Sequence, residues 1–190
     1  MRLLKSRITT AVLLPIPQLD STKVVIPKYN GGWRAGQHIR LRVFSMGMGW
    51  FGWAEVHPFT IASVSRSREG IILICKRKGA WTKGLFEMSK IGRYVNGEMG
   101  QKVKVVVEGP YGQCISDGPE NNLNGRFTFY LGGPGHMVFS SFSAAVVVAG
   151  GIGITFALSV IQDLIQKDLN AESRVKVLEL IWIVQDPGIL

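Results

Sequence analysis

The amino-acid sequence predicts an antiparallel β-barrel followed by an incomplete parallel α/β unit, a β plus α/β chain. Two patterns carry that expectation. Six short runs of strand-forming residues, separated by Gly, Pro, Asn and Asp, lie between residues 8 and 107, which is the rhythm of a small closed barrel. Beyond residue 143 the pattern becomes an apolar run, a glycine turn, a helix-period segment and a second apolar run. That succession is the βαβ unit of a parallel sheet.

The elements follow in order. Residues 8–14 and 22–26 read as two strands separated by Pro15, Pro17 and Asp20. Residues 38–44 alternate strictly, with Ile39, Leu41 and Val43 on one face and Arg40 and Arg42 on the other, the mark of a half-buried strand. Residues 45–53, SMGMGWFGW, read as a loop. Residues 57–64 form the next strand, with Pro58 at its start, where the missing N–H is tolerated. Strands at 71–76 and 103–107 complete the six, and residues 85–91 supply a short helix between them. Residues 113–141 lack periodicity and read as a long loop with a short strand at 127–131. A strand at 144–149, a turn at 150–153, a helix at 155–169 and a strand at 175–184 form the βαβ unit. Phe156, Leu158, Val160, Ile161, Leu164 and Ile165 are expected on the buried side of that helix. The division is then 1–118 for the barrel, 119–142 for a linker and 143–190 for the α/β part.

The chain has 190 residues, 46% hydrophobic, enough to bury a core and too apolar for intrinsic disorder. Two cysteines exclude a disulfide scaffold and a four-cysteine zinc site, and three scattered histidines give no metal site. The net charge is +9, and residues 1–118 hold 18 Lys and Arg against 7 acidic residues. A basic half suits nucleic acid, anionic lipid or a phosphate-rich cofactor. The cations are dispersed, without a recognition-helix pattern or paired RNA-stacking aromatics, so no nucleic-acid partner is expected. Residues 137–162 carry no charge and are long enough to span a bilayer. Their serines and the Gly150–Gly153 turn divide them into strand, turn and helix instead. The N-terminal apolar run is too short for a signal peptide and is followed by Pro15 and Pro17.

Four segments carry chemistry. In His57-Pro58-Phe59-Thr60, an aromatic followed by a hydroxyl can face a flat cofactor and its edge; a core Phe and a solvated Thr of an ordinary barrel strand fit the same residues. In Lys76-Arg77-Lys78-Gly79-Ala80-Trp81-Thr82-Lys83, cations precede a glycine and a possible helix start, which suits a phosphate and equally a solvated basic hairpin. Gly109-Pro110-Tyr111-Gly112 is by itself a turn. Gly150, Gly151, Gly153 and Thr155 stand between strand and helix, where glycines admit a ligand to the backbone and the helix start favours a pyrophosphate.

In this order, with WRAGQH at 33–38, HPFTIAS at 57–63, WTKGL at 81–85, GPYG at 109–112, AGGIGIT at 149–155 and IWIV at 181–184, the chain resembles the flavin- and pyridine-nucleotide-binding part of ferric reductases and NADPH oxidases, with the fungal ferric reductases most similar. The resemblance covers nearly the whole chain. It implies an FAD-binding barrel followed by a partial Rossmann-like NAD(P)-binding domain, and a flavoenzyme passing electrons from NAD(P)H through FAD to a heme or metal acceptor. It implies Pro58, Phe59 and Thr60 against the flavin, with Phe59 on the ring and Thr60 near its N5 edge, and His57 beside the ring or ribityl chain. Lys76, Trp81 and Thr82 match the segment that holds the FAD pyrophosphate, and Gly150, Gly151, Gly153 and Thr155 the turn that receives the NADPH phosphates. No side chain is assigned a catalytic role, because the flavin does the chemistry. A heme-bearing membrane domain of a parent protein is the implied partner, on the cytosolic face of a membrane. The alternative is a non-catalytic FAD-binding or interaction module of a larger complex.

Two departures bear on activity. The resemblance implies further strands after residue 184, so the chain reads as a shortened form. Where relatives place an arginine for the NADPH 2′-phosphate, this chain has Gln185 and Asp186, and a neutral amide lacks the cationic fork, which leaves NADH possible. The chain is therefore predicted to bind FAD better than NADPH and to turn over slowly. Stopped-flow reduction of bound flavin checks this, and hydride transfer at roughly tens per second would contradict it.

Overall fold

The computed structural model describes residues 6–27, 29, 32–95, 98–112 and 139–184. Gln185, Asp186 and the strand expected at 127–131 lie outside the described residues, as does most of the 119–142 linker. The barrel contains β1 (Ser6–Ile16), β2 (Ser21–Ile26), β3 (His38–Phe44), β4 (His57–Thr60), β5 (Ile71–Lys76), helix α1 (Ala80–Lys90), β6 (Arg93–Val95) and β7 (Glu98–Tyr111). The α/β part contains β8 (Ala144–Gly150), α2 (Ile154–Leu169) and β9 (Val177–Ile183).

The barrel strands run in the order β4-β3-β7-β1-β2-β5, all antiparallel. The alternation read from the sequence sets the faces. Ile39, Leu41 and Val43 of β3 are fully buried with Leu13, Val24, Ile26, Leu73, Val105 and Val107, while Arg40 points outward. α1 plugs the core with Trp81, Leu85 and Met88. Cys75 is buried, and burial pushes its thiol well above the ordinary value, so it packs as a small apolar side chain.

The barrel is nearly closed. β4 and β5 stand at the two ends of the strand order, and the segment after β4 joins them. Ile61 N–H donates to Gln37 O (2.9 Å) on the β3 side, and Ala62 N–H donates to Ile72 O (2.8 Å) on the β5 side. Buried Ser63 completes the closure: its hydroxyl donates to Gly70 O (2.9 Å) and accepts from Ile72 N–H (3.1 Å), and its carbonyl accepts the Trp33 indole N–H (2.9 Å). Beyond this staple the two strands part.

Several boundaries differ from the expectation. β4 ends at Thr60 rather than Val64, because residues 61–63 turn to bridge β3 and β5. β7 spans Glu98–Tyr111 rather than 103–107, since it pairs with both β1 and β3, and β6 pairs with its start. α1 begins at Ala80, five residues before the expected start, because Thr82 caps it.

β8 and β9 are parallel, from Ala144↔Val177 to Gly150↔Ile183, and α2 covers one face. The buried side of α2 is not the large apolar stripe expected. Thr155, Ala157, Ser159, Val160 and Leu164 are buried, whereas Phe156 and Ile165 are exposed. Small residues win because the helix lies close between β8 and the barrel, where Ala35 joins Ala145, Val160 and Leu164 in one cluster. Gly36 N–H donates to Ser159 Oγ (3.1 Å) and Gln162 Nε2 donates to Ala62 O (3.5 Å) across the same junction. Among the described residues, the opposite face of the β8–β9 ribbon leaves Val146, Val148, Ile181 and Ile183 exposed. Among the described residues, no helix is long and apolar enough to cross a membrane.

Gly36 makes the junction testable. Its φ is 82°, and a Cβ there would lie 2.6 Å from Phe156 Cε2. Gly36→Ala is expected to cost about 1–3 kcal/mol in denaturant unfolding, from left-handed strain plus the clash. Phe156→Ala in the same chain should recover the clash part only, a coupling that a double-mutant cycle measures.

Candidate cofactor site

Where β4 and β5 part, a cleft of about 210 Å³ opens, lined by Pro58 and Phe59 of β4, Ile74 and Lys76 of β5, Lys78, and Ile152 of the glycine turn. Its walls are apolar, with two lysines at one end. The facing edges of β4 and β5 belong to no ladder with each other, so their backbone groups are available to a flat ligand that carries donors and acceptors on its edge.

The wall behind the cleft is aromatic. Trp81 is buried, its ring 5.9 Å from Phe59 at an interplanar angle of 28° and 4.3 Å from His57. Its indole N–H donates to Gly52 O (3.1 Å). Trp81 therefore backs the site from the core side, with its only polar atom engaged. His57 Nε2 lies 2.8 Å from Glu55 Oε2, so a carboxylate orients the imidazole. Glu55 was not singled out from sequence, and its signal is only its place two residues before the histidine.

A second hollow, of about 440 Å³, adjoins at the start of α1 and is lined by Asp20, Arg77, Lys78, Gly79, Ala80 and Lys83. Thr82 Oγ1 accepts from Lys78 N–H and Gly79 N–H, both at 3.0 Å, and donates to Gly79 O (3.1 Å). The hydroxyl thus shapes the turn, leaving the first-turn amides of α1 to meet an anion. Arg77 pairs with Asp20 (2.6 Å) and Glu87 (3.9 Å), whereas Lys76, Lys78 and Lys83 make no ion pair among the described residues. Lys78 lines both hollows and so joins the ring-sized cleft to the cationic one.

The glycine turn borders the cleft from the α/β side. Gly151 has a φ of 49°, and a Cβ at Gly150, Gly151 or Gly153 would meet nothing within 4 Å, so the bare backbone is open to a ligand. Thr155 is buried and its hydroxyl donates to Ile152 O (3.1 Å), closing the turn onto α2. Trp182 of β9 donates its indole N–H to Gly151 O (3.0 Å), a clamp that residue type alone did not reveal. The structure thus gathers Pro58, Phe59 and Lys76 on one cleft with His57 and Trp81 behind it, sets Thr82 at the adjoining hollow, and brings Gly150, Gly151, Gly153 and Thr155 to its rim through Ile152. Thr60, next to Phe59 in β4, pairs with His38 of β3.

An aromatic and aliphatic slot, a cationic pocket beside it, and an open glycine turn before a helix fit a flavin bearing a pyrophosphate, together with a second phosphate-bearing nucleotide. The comparisons agree. The fold is that of ferredoxin-reductase-like flavoproteins: the ferredoxin reductase of carbazole 1,9a-dioxygenase aligns with a TM-score of 0.61 at 15% identity, over 97% of this chain and 45% of that one. A ferredoxin NADP+ reductase from Neisseria gonorrhoeae with bound FAD and NADP aligns at 0.57 and 16%, over 96% and 60%. Residues 5–115 match the profile of an FAD-binding domain and residues 142–190 that of a ferric reductase NAD-binding domain. The chain belongs to the family of this FAD-binding domain, carries a ferric reductase NAD-binding domain after it, and is an FAD- and NAD(P)-binding module. Dual oxidase 2 of Homo sapiens is 27% identical over 154 residues, 80% of this chain, and ferric reduction oxidase 2 of Arabidopsis thaliana is 30% identical over 126 residues, 66% of it. The chain spans 8% and 14% of those relatives' lengths.

Phe59→Ala should weaken FAD binding by about twofold to tenfold, the worth of one aromatic stack beyond burial, and Thr60→Ala by less. Titration followed by flavin fluorescence measures both, and an unchanged affinity in the Phe59 variant would remove the cleft from consideration.

Proposed function

We propose that this chain carries electrons from NAD(P)H through FAD toward a one-electron acceptor, as a ferric- or cupric-reductase-like module of the kind used in iron uptake. A heme-bearing membrane domain of a parent protein is the acceptor in this reading, with the module held at the cytosolic face. The observation that carries it is the meeting of both halves at one cleft, where Ile152 of the glycine turn shares a lining with Pro58 and Phe59 of the barrel. A nicotinamide nucleotide seated on the turn would lie next to a flavin seated in the seam, and proximity of that kind removes part of the barrier to hydride transfer.

In this reading the residue roles combine the cleft lining with what the family resemblance implies. Phe59 and Pro58 offer a flat surface to the ring, with Trp81 holding Phe59 in place. Thr60 is assigned the N5 edge and His57, oriented by Glu55, the ring or ribityl flank. Lys76 and Lys78 neutralise the pyrophosphate at the α1 turn that Thr82 shapes. Gly150, Gly151 and Gly153 let the backbone approach the phosphates of NADPH or NADH, and Thr155 holds the turn in register with α2. A bound flavin would supply the capacity to take up a hydride and give up single electrons; Pro58, Phe59 and Ile74 would position it in apolar surroundings. We assign residues 1–118 to the flavin half, 119–142 to the connection and 143–190 to the nucleotide half.

One observation favours the second reading, a flavin-binding or interaction module that is not itself catalytic. Among the described residues the β8–β9 sheet has two strands and leaves Val146, Val148, Ile181 and Ile183 exposed on one face, whereas parallel sheets are ordinarily covered on both.

Two measurements decide. FAD affinity should exceed FMN affinity and fall as salt rises, because the cationic hollow acts on the adenylate-side pyrophosphate and is screened over about 8–10 Å. Equal affinities would contradict the assignment of Lys76 and Lys78. Anaerobic mixing of the flavin-loaded chain with NADPH or NADH should then bleach the flavin absorbance, while bound flavin that neither nucleotide bleaches would favour the second reading.

A further inference from the structure

The two halves of the chain share the cleft through one side chain. Pro58, Phe59, Ile74, Lys76 and Lys78 line it from the barrel, and among the described residues Ile152 alone lines it from the α/β half. Ile152 is 44% exposed, so a branched apolar group stands uncovered at the wall of an apolar slot. Its neighbours Gly150, Gly151 and Gly153 bring no side chain of their own.

The turn that carries Ile152 is held from behind. Gly151 O accepts from the Trp182 indole N–H (3.0 Å) and from Ile154 N–H, and Ile152 O accepts from the Thr155 hydroxyl (3.1 Å). Both carbonyls are thus engaged within the α/β half. On the other side, a Cβ at any of the three glycines would meet nothing within 4 Å. The turn therefore offers a bare backbone to a phosphate and one apolar side chain to a ring.

We propose that Ile152 is a flavin-contacting residue supplied by the nucleotide half, and that through it FAD and the pyridine nucleotide bind cooperatively, each raising the affinity for the other. This rests on the reading that the cleft seats the flavin and the turn receives the nucleotide phosphates. The sign of the coupling comes from the glycines. Three of the four residues 150–153 are glycine, which gives the turn wide backbone freedom when no ligand holds it. A flavin ring packed on the Ile152 side chain restricts those dihedrals, and so does a phosphate on the backbone. The second ligand then meets a turn already ordered, and less entropy is lost on its binding. Linkage makes the effect reciprocal. Repulsion between the phosphates of the two ligands opposes it, but Lys76 and Lys78 line the flavin side of the cleft and offset that charge.

The test is a set of FAD titrations of the 190-residue chain, followed by flavin fluorescence, with and without NADP+, which has no hydride to give. Calorimetry in the absence of FAD sets the NADP+ concentration that saturates the chain. FAD affinity is expected to rise about fivefold or more with NADP+ present. Ile152→Ala should bind FAD roughly fivefold more weakly, through lost apolar contact, and should lose most of the rise while keeping its NADP+ affinity and its thermal midpoint. Ile152→Val, which keeps a branched side chain, should retain most of the rise. The inference is overturned by equal FAD affinity of the unaltered and Ala chains, by a rise that survives in Ile152→Ala, by absence of NADP+ binding, or by FAD affinity that falls when NADP+ is added. FAD binding that Phe59→Ala weakens and Ile152→Ala does not would remove this inference alone. Failure of the unaltered chain to bind FAD would remove the cleft assignment with it.

Discussion

The structure depends on an incomplete closure. A six-stranded barrel buries its core only if its last two strands are joined, yet full pairing of β4 with β5 would leave no place for a ligand between them. Ser63 reconciles the two demands. Its hydroxyl and carbonyl engage Gly70, Ile72 and Trp33 inside the protein, so the closure is made where the chain is buried. Beyond it, β4 and β5 separate over Pro58, Phe59, Ile74 and Lys76. Proline at 58 suits this edge, since it has no N–H to leave unpaired. Removing the Ser63 hydroxyl would leave the part-buried Ile72 N–H without this acceptor, a cost of about 1 kcal/mol.

The second half is tied to that seam by close packing rather than by a large apolar interface. Ala35, Gly36, Ala157 and Ser159 permit α2 to approach the barrel, and Ser159 Oγ takes the Gly36 N–H. This places the start of α2, and with it Gly150–Gly153, beside the cleft. Trp182 then holds the turn from β9. Trp81 plays the corresponding part in the barrel, with its ring behind Phe59 and His57 and its N–H on the β3–β4 loop. Each of the two indoles, Trp81 buried and Trp182 half-buried, thus couples a functional loop to the framework.

Much of this was legible in the residues. The alternation of residues 38–44 places Ile39, Leu41 and Val43 in the core, and the glycines at 150–153 divide an uncharged stretch into strand, turn and helix. What periodicity could not supply were the features set by tertiary contact. β7 is long because two neighbours pair with it, and β4 is short because its continuation bridges two strands. α2 buries its small residues because the junction is narrow, a constraint absent from its own sequence. The segments carrying chemistry were visible as a series, but the Glu55–His57 and Trp182–Gly151 contacts link residues whose types alone do not announce a partnership.

The central claim is that the gap between β4 and β5 is the flavin seat. Hydrogen–deuterium exchange of the backbone amides, with and without FAD, addresses it most directly, because the amides along these facing edges are the groups a bound flavin would cover. The account predicts slowed exchange in residues 57–60 and 74–78 on adding FAD, with the β1–β7 ladder unchanged. Protection confined to other parts of the barrel, or no protection along this seam at saturating FAD, would contradict it.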